Sequence, residues 1–332
     1  VGRTTDIANA DARALIERGI DKAEQIAMRG SIVVIGATGA LVSASRMDHG
    51  GAGGMARARS KAWIAATQQI TSAEHLGRMR MIAPPMVSGF TALSPEAAFP
   101  GAGGMPIRRD GHVIAGIAAS GAGIGPFVNY PGSQPELLIA DGEPSNGEDL
   151  LVHYALDIPY VGQHGDDRER WLGAFGSFPE SPGPGRGMEP APAASAQDEH
   201  RWAVALADRL IALAVSRGER ISVAIVDERG DPIQLDRMDG APAASVSVAE
   251  AVAATAATFH CASEDLPSRY SGSGAIERLA ALLPYPILPV AGGLPLRSHD
   301  GSVVGGLGIG GPPAAAAGDL AAAGVEAAGL AL

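Results

Sequence analysis

One cysteine in 332 residues, Cys261, rules out an intrachain disulfide framework and a multi-cysteine zinc site. Basic residues are outnumbered, with 25 Lys and Arg against 36 Asp and Glu and a net charge of −11. A surface of that sign repels a phosphate backbone, so no nucleic-acid partner is expected. No uncharged run of about 18 residues has the apolar bulk to span a bilayer, so no membrane partner is expected either. His75, His153 and His164 show no H-x-x-x-H or carboxylate spacing, and no metal centre is expected. Ser120 lacks a G-x-S-x-G elbow, and no Ser-His-Asp order can be read. No secretory signal pattern follows Val1, which with the lone thiol gives a cytoplasmic expectation.

What is present is a module written twice. The first copy reads SIVVIGATGALVSASRMD, then a helix-like stretch ending in IAAT, then GAGGMPIRRDGHVIAGIAASG. The second reads SVAIVDERGDPIQLDRMD, a stretch ending in TAAT, then AGGLPLRSHDGSVVGGLGIGG. Ser31 and Ser222, Arg46 and Arg237, Asp48 and Asp239, and Thr67 and Thr258 all share one offset, and Gly103 and Gly292 differ from it by two residues.

Apolar positions at helical spacing predict a helix over 5–28, and RWAVALADRLIALAVSR predicts its counterpart at 200–216. Strands are expected at 31–35 and 40–46 around Gly39, and at 221–227 and 232–237 around Arg229-Gly230-Asp231. Helices follow at 55–70 and 243–260. Asp110-Gly111 and Asp300-Gly301 each join a closing pair of strands, a strong hairpin signal. The fold class is therefore α+β: two tandem modules, each an antiparallel β-sheet flanked by α-helices. The expected domains are 1–124 and 200–332. An ordered insertion or lid is expected over 125–173, and a Pro/Gly-rich linker over 174–199. The Ala-rich C-terminus, interrupted by Asp319 and Glu326, reads as a surface helix or a frayed tail.

Several residues could carry chemistry. GAGGM occurs at Gly51–Met55 and again at Gly101–Met105, so Gly53, Gly54, Met55, Gly103, Gly104 and Met105 are candidate ligand contacts. The first precedes a helix, where free N–H groups favour a carboxylate, although each can equally be a permissive turn. Arg57 and Lys61 share a helix face and could grip a carboxylate, or form a solvated face. Arg46 and Asp48 recur in both copies, as a turn clamp or as binding groups. His49 follows Asp48 in the first copy only, where the second has Gly240. It could act as a general base or an iron ligand, or simply be a solvated loop residue. Asp48, His49, Lys61 and Tyr154 are the candidate catalytic acid–base groups. Met79, Met81 and Met86 with Phe90 and Phe99 could line an apolar pocket or fill core. His260 and Cys261 are each of a haem-ligand type, but adjacent helix residues diverge by about 100° and cannot chelate one metal together, and Cys261 reads as a packed small hydrophobe.

The R-M-D strand ending, the Ala-rich helix and the F-P-G-x-G-G-x-P-I segment from Phe99 to Ile107 resemble the GlcG/HbpS family. That family comprises haem-binding or haem-degrading domains, also found at the C-terminus of PduO-type proteins. The resemblance covers roughly 5–124 and 200–330. It implies haem or a related tetrapyrrole as the small-molecule ligand, and assembly as a homo-oligomer, a dimer or tetramer of tandem chains. Family helices carry a lysine followed by alanine. The first copy keeps Lys61-Ala62, while the second has Val252; Gln68 stands where the second keeps Phe259.

Three functions follow as expectations. The first is a haem or tetrapyrrole binder that degrades its ligand or only holds it. The second is a cofactor-independent isomerase, cyclase or hydrolase acting on a small oxygenated substrate. The third is a structural oligomer subunit. The disagreements between the copies place the site in copy one.

Overall fold

The computed structural model describes residues 6–25, 28–82, 84–93, 98–121, 139–140, 143–144, 146–162, 169, 198–270, 274–283 and 285–327. The expected linker at 174–199 lies outside these up to residue 197, as does much of 125–173, including Tyr130 and His164. The chain divides into two compact units, Val1–Ala196 and Gln197–Leu332.

The first unit runs α1 (Asn9–Gln25), β1 (Gly30–Gly36), β2 (Leu41–Arg46), α2 (Ala52–Gln68), α3 (Ser72–Arg80), α4 (Pro84–Leu93), β3 (Gly104–Arg109) and β4 (His112–Gly121). A two-residue pairing of β5 (Ile139–Ala140) with β6 (Glu143–Pro144) and α5 (Gly147–Ala155) complete it. Its four main strands are antiparallel in the order β3-β4-β1-β2. Strand β1 is buried along its whole length because both faces are covered. Ile32, Val34, Ile117 and Ala119 pack with Ile16 and Ile20 of α1 and with Leu150 and Leu151 of α5. The alternate residues face α2, as the twofold period of a strand dictates. Gly116 permits that contact: a Cβ there would stand 2.3 Å from the Ala62 carbonyl oxygen. Asn146 caps α5, its Oδ1 accepting from the Glu148 and Asp149 amides.

The second unit repeats the plan with α6 (Asp198–Ser216), β7 (Ser222–Asp227), β8 (Pro232–Arg237) and α7 (Ser245–Phe259). A 3₁₀ turn (Ser263–Asp265), α8 (Leu266–Arg269) and α9 (Ala275–Ala280) lead to β9 (Gly293–Arg297), β10 (Val303–Gly310) and α10 (Ala314–Ala327). The strand order is β9-β10-β7-β8, again antiparallel. Helix α7 lies so close on β10 that a Cβ at Gly308 would stand 2.0 Å from the Ala249 carbonyl oxygen.

The fold class expected from the sequence is the one observed, and the hairpins fall within a residue or two of their expected bounds. Asp110 and Gly111 both adopt positive φ, as a type I′ turn requires. The C-terminal segment differs from expectation. Ala317, Leu320, Ala321 and Val325 of α10 are buried in the core with Leu206 and Leu210 of α6. Small residues let this helix sit close to its neighbour, so its low side-chain bulk goes with tight packing and not with fraying. In the first unit α5 packs against α1 and β4 in the same way.

Candidate functional site

At the end of β4, α2 presents Arg57 and Lys61 to the strand, one helical turn apart. Lys61 is 3% exposed and pairs with Glu148 Oε2 at the first turn of α5. The other oxygen, Glu148 Oε1, accepts from Ser120 Oγ at 3.1 Å and from the Gly121 amide at 3.1 Å. Arg57 closes the cluster, donating from Nε to Ser120 Oγ at 3.3 Å and from Nη2 to the Gly121 carbonyl at 3.2 Å. Lys61 pairs with the carboxylate, whereas Arg57 reaches the neutral Ser120 hydroxyl and Gly121 carbonyl.

Glycines give these groups their approach. Gly103 has φ +102, and a Cβ there would stand 2.8 Å from Glu148 Cβ and 2.7 Å from the Ala119 carbonyl oxygen. Its amide donates to Asp149 Oδ1, and Ala119 N donates to its carbonyl at 2.8 Å. Gly104 lies against the Lys61 carbonyl and Ser72 Oγ. Gly53, exposed in the first turn of α2, leaves room for the Arg57 guanidinium, 3.1 Å from where its Cβ would be. The helix begins at an extended Gly51 with no side-chain cap, and the Gly54 amide turns back to the Gly51 carbonyl at 2.8 Å. A small cleft beside the cluster is lined by Ser31, Ser120, Gly121 and Glu148 and by the apolar Met28 and Met47.

The structure thus brings Arg57, Lys61, Gly53, Gly54, Gly103 and Gly104 around one location. The two methionines of the GAGGM segments pack inward: Met55 is buried, and Met105 lies against the core. Arg46 closes its turn, donating to the Gly50 carbonyl at 3.2 Å, as Arg237 does to Ala241 at 3.3 Å. Asp48 is buried in that turn. His49 is exposed at φ +62, and Gly240 at the matching position has φ +82. The histidine therefore occupies a left-handed turn position that its counterpart fills with glycine. Tyr154 stands at the far end of α5, its ring 4.9 Å from Lys22 Nζ. Burial lowers the pKa of that lysine.

Glu148, Ser31 and His75 lacked a sequence signal. His75, on α3, is 3% exposed and packs on Phe90 with ring centroids 5.0 Å apart. Its Nε2 has no hydrogen-bond partner among the described residues. Burial, and then the charge of Arg78, pushes its pKa below the ordinary value, so the ring is neutral near pH 7. His153 directs Nδ1 at the Asp149 carbonyl, 2.8 Å away; burial lowers its pKa and that bond opposes the shift. Met81 and Met86 are exposed, so they fill no core. Cys261 is buried, and burial pushes its thiol up, as suits a packed residue. Among the described residues no group of His, Cys, Asp and Glu could hold a metal ion, and no helix is long and apolar enough to cross a membrane.

The second unit keeps the scaffold bonds and lacks the polar cluster. Ser72 Oγ donates to the Gly101 carbonyl, and Ser263 Oγ donates in the same way to Val290. Arg57 and Lys61, however, become Val248 and Val252 at the common offset. Ser120 becomes Gly310, since Ser31 pairs with Ser120 and Ser222 with Gly310 in register. Glu148 becomes Ala317, the residue against which Gly292 packs.

Residues 7–124 and 199–326 match the family model described as "Haem degrading protein HbpS-like". Among solved structures, a double mutant of HbpS from Streptomyces reticuli is 27% identical, covering 39% of this chain and 84% of that one at a TM-score of 0.35. The PduOC:heme complex is 29% identical, covering 41% and 96%, also at 0.35. Klebsiella pneumoniae protein ORFY is 20% identical, covering 39% and 89%, at 0.36. No curated protein matches the chain.

Proposed function

As the chain belongs to the HbpS-like family in both of its units, we propose that it binds haem or a related tetrapyrrole through its first unit. One observation carries this reading: Arg57, Lys61, Ser120 and Glu148 form a charged cluster there, and Val248, Val252, Gly310 and Ala317 replace all four in the second unit.

The chemistry of the residues suits such a ligand. Its acidic side chains are complemented by the Arg57 guanidinium and by the uncapped start of α2. The iron is suited by the neutral His75 imidazole, whose Nε2 is buried without a partner among the described residues. Bound haem would supply one-electron iron chemistry. The chain's own contribution is to orient the ligand: Glu148 fixes Lys61 and Ser120, and Ser120 in turn steadies Arg57. With both carboxylate oxygens engaged, Glu148 serves here as an anchor. The second unit contributes the duplicated scaffold without a matching polar site.

Titration of the purified chain with haemin, followed by absorption, tests the proposal. A saturable Soret shift at one haemin per chain is expected. Replacing His75 by alanine is expected to change the position of the band. No shift at stoichiometric haemin would end the proposal.

A further inference from the structure

Met79, Met81 and Met86 lie close together in sequence, whereas the second unit has no methionine between Ser245 and Val290. Just before them stands His75, buried where the second unit has Leu266. Leucine fills the matching place without polar atoms, so packing alone does not call for an imidazole. The His75 Nε2 has no hydrogen-bond partner among the described residues, and a buried polar atom left in that state is costly.

The two helices that carry these residues meet at two points. Only residues 81–83 separate the end of α3 at Arg80 from the start of α4 at Pro84. Further along, the His75 and Phe90 rings stand 5.0 Å apart. Met79 lies one turn from His75 toward the link, and Met86 lies one turn from Phe90 toward it. Both thioethers therefore belong to the wedge between the link and the ring contact. Met79 is half-buried, and Met86 is 64% exposed on an unbranched side chain that can swing inward.

The donor set selects the metal. An imidazole and two thioethers are uncharged ligands, and the soft thioethers suit copper(I). Calcium and magnesium need oxygen ligands, and the carboxylate on α3, Glu74, is engaged by Arg78 at 2.7 Å. Arg78 and Arg80, exposed on the same helix, oppose a divalent ion more strongly than a monovalent one. The lowered pKa of His75 leaves its lone pair available near pH 7.

We propose that His75, Met79 and Met86 form a copper(I) site in the wedge between α3 and α4. The second unit, with Leu266 and no methionine in the matching segment, has no such site. The inference does not rest on the tetrapyrrole reading and meets it at one atom. His75 Nε2 serves one metal at a time, so copper(I) and haem iron exclude each other there.

The test is anaerobic titration of the full chain with copper(I) bicinchoninate, whose colour fades as the chain removes the metal. Transfer of one copper(I) per chain is expected. His75→Leu, and Met79→Leu combined with Met86→Leu, are each expected to weaken retention by at least about tenfold. Cys261→Ala removes the single thiol and is expected to retain copper as the parent does. Silver(I), a diamagnetic stand-in, is expected to shift the Met79 and Met86 methyl signals of the parent chain and to leave those of the buried Met47 and Met55 in place. No copper transfer, unmoved Met79 and Met86 signals, parent-like retention by the methionine double variant, or loss of copper in Cys261→Ala overturns the site. Copper transfer without a haemin Soret shift would leave this site standing while the tetrapyrrole reading falls. A Soret shift without copper transfer would do the reverse.

Discussion

Lys61 on α2 and Glu148 on α5 are joined at the end of β4, although 87 residues separate them and their helices cover opposite faces of the sheet. Gly103 makes the meeting sterically possible, since a side chain there would collide with Glu148. Breaking a buried pair from one side strands the other charge. Lys61→Met is expected to destabilise the first unit by about 3 kcal/mol. The double change Lys61→Val with Glu148→Ala, which copies the second unit, is expected to recover most of that loss. Urea unfolding of the four members of this cycle measures the coupling; additive effects would contradict it.

Arg57 is held by Ser120 and Gly121 but remains partly exposed. Arg57→Leu is expected to weaken haemin binding about tenfold, corresponding to about 1.4 kcal/mol. Val248→Ala, at the matching position of the second unit, is expected to leave it unchanged. Equal effects of the two substitutions would remove the first unit's claim to the site.

Much of this was legible in the sequence. Asp-Gly turns and the doubled hairpins fixed the strands, and the contrast of Lys61 with Val252 pointed to the end of α2. Glu148 was not legible. Its counterpart is a plain alanine, Ala317, and an ion pair between distant residues leaves no periodic trace. His49 stood out as a difference, yet its left-handed φ shows a turn requirement that glycine meets in the second copy.

Acid should expose the buried imidazoles. Burial places the folded-state pKa of His75 and His153 below the ordinary 6.5. The unfolded chain then binds more protons below that pH. The stability contributed by the neutral rings is complete above about pH 6.5 and declines as the pH falls toward the folded values. His75→Leu, matching Leu266 of the second unit, is expected to flatten the fall in urea midpoint between pH 7.5 and pH 5. An unchanged slope would show that His75 does not contribute.

Gly103 and Gly111 both adopt positive φ but differ in their surroundings. At Gly111 a Cβ would meet nothing within 4 Å, whereas at Gly103 it would meet two neighbours under 3.0 Å. Gly111→Ala is expected to cost about 1 kcal/mol, from backbone strain alone. Gly103→Ala is expected to cost at least twice as much and to impair haemin binding by displacing Glu148. Thermal unfolding and the Soret titration separate the two effects.

The matched bonds of Ser72 and Ser263 have a wider meaning. Both serines tether the loop before the third strand to the central helix region, and neither copy has let that tether go. Against this constant background every polar group of the first unit's cluster is missing from its twin. The chain therefore carries its own reference state: a second edition of the fold, written in the same molecule, that keeps the architecture and lacks the charged cluster.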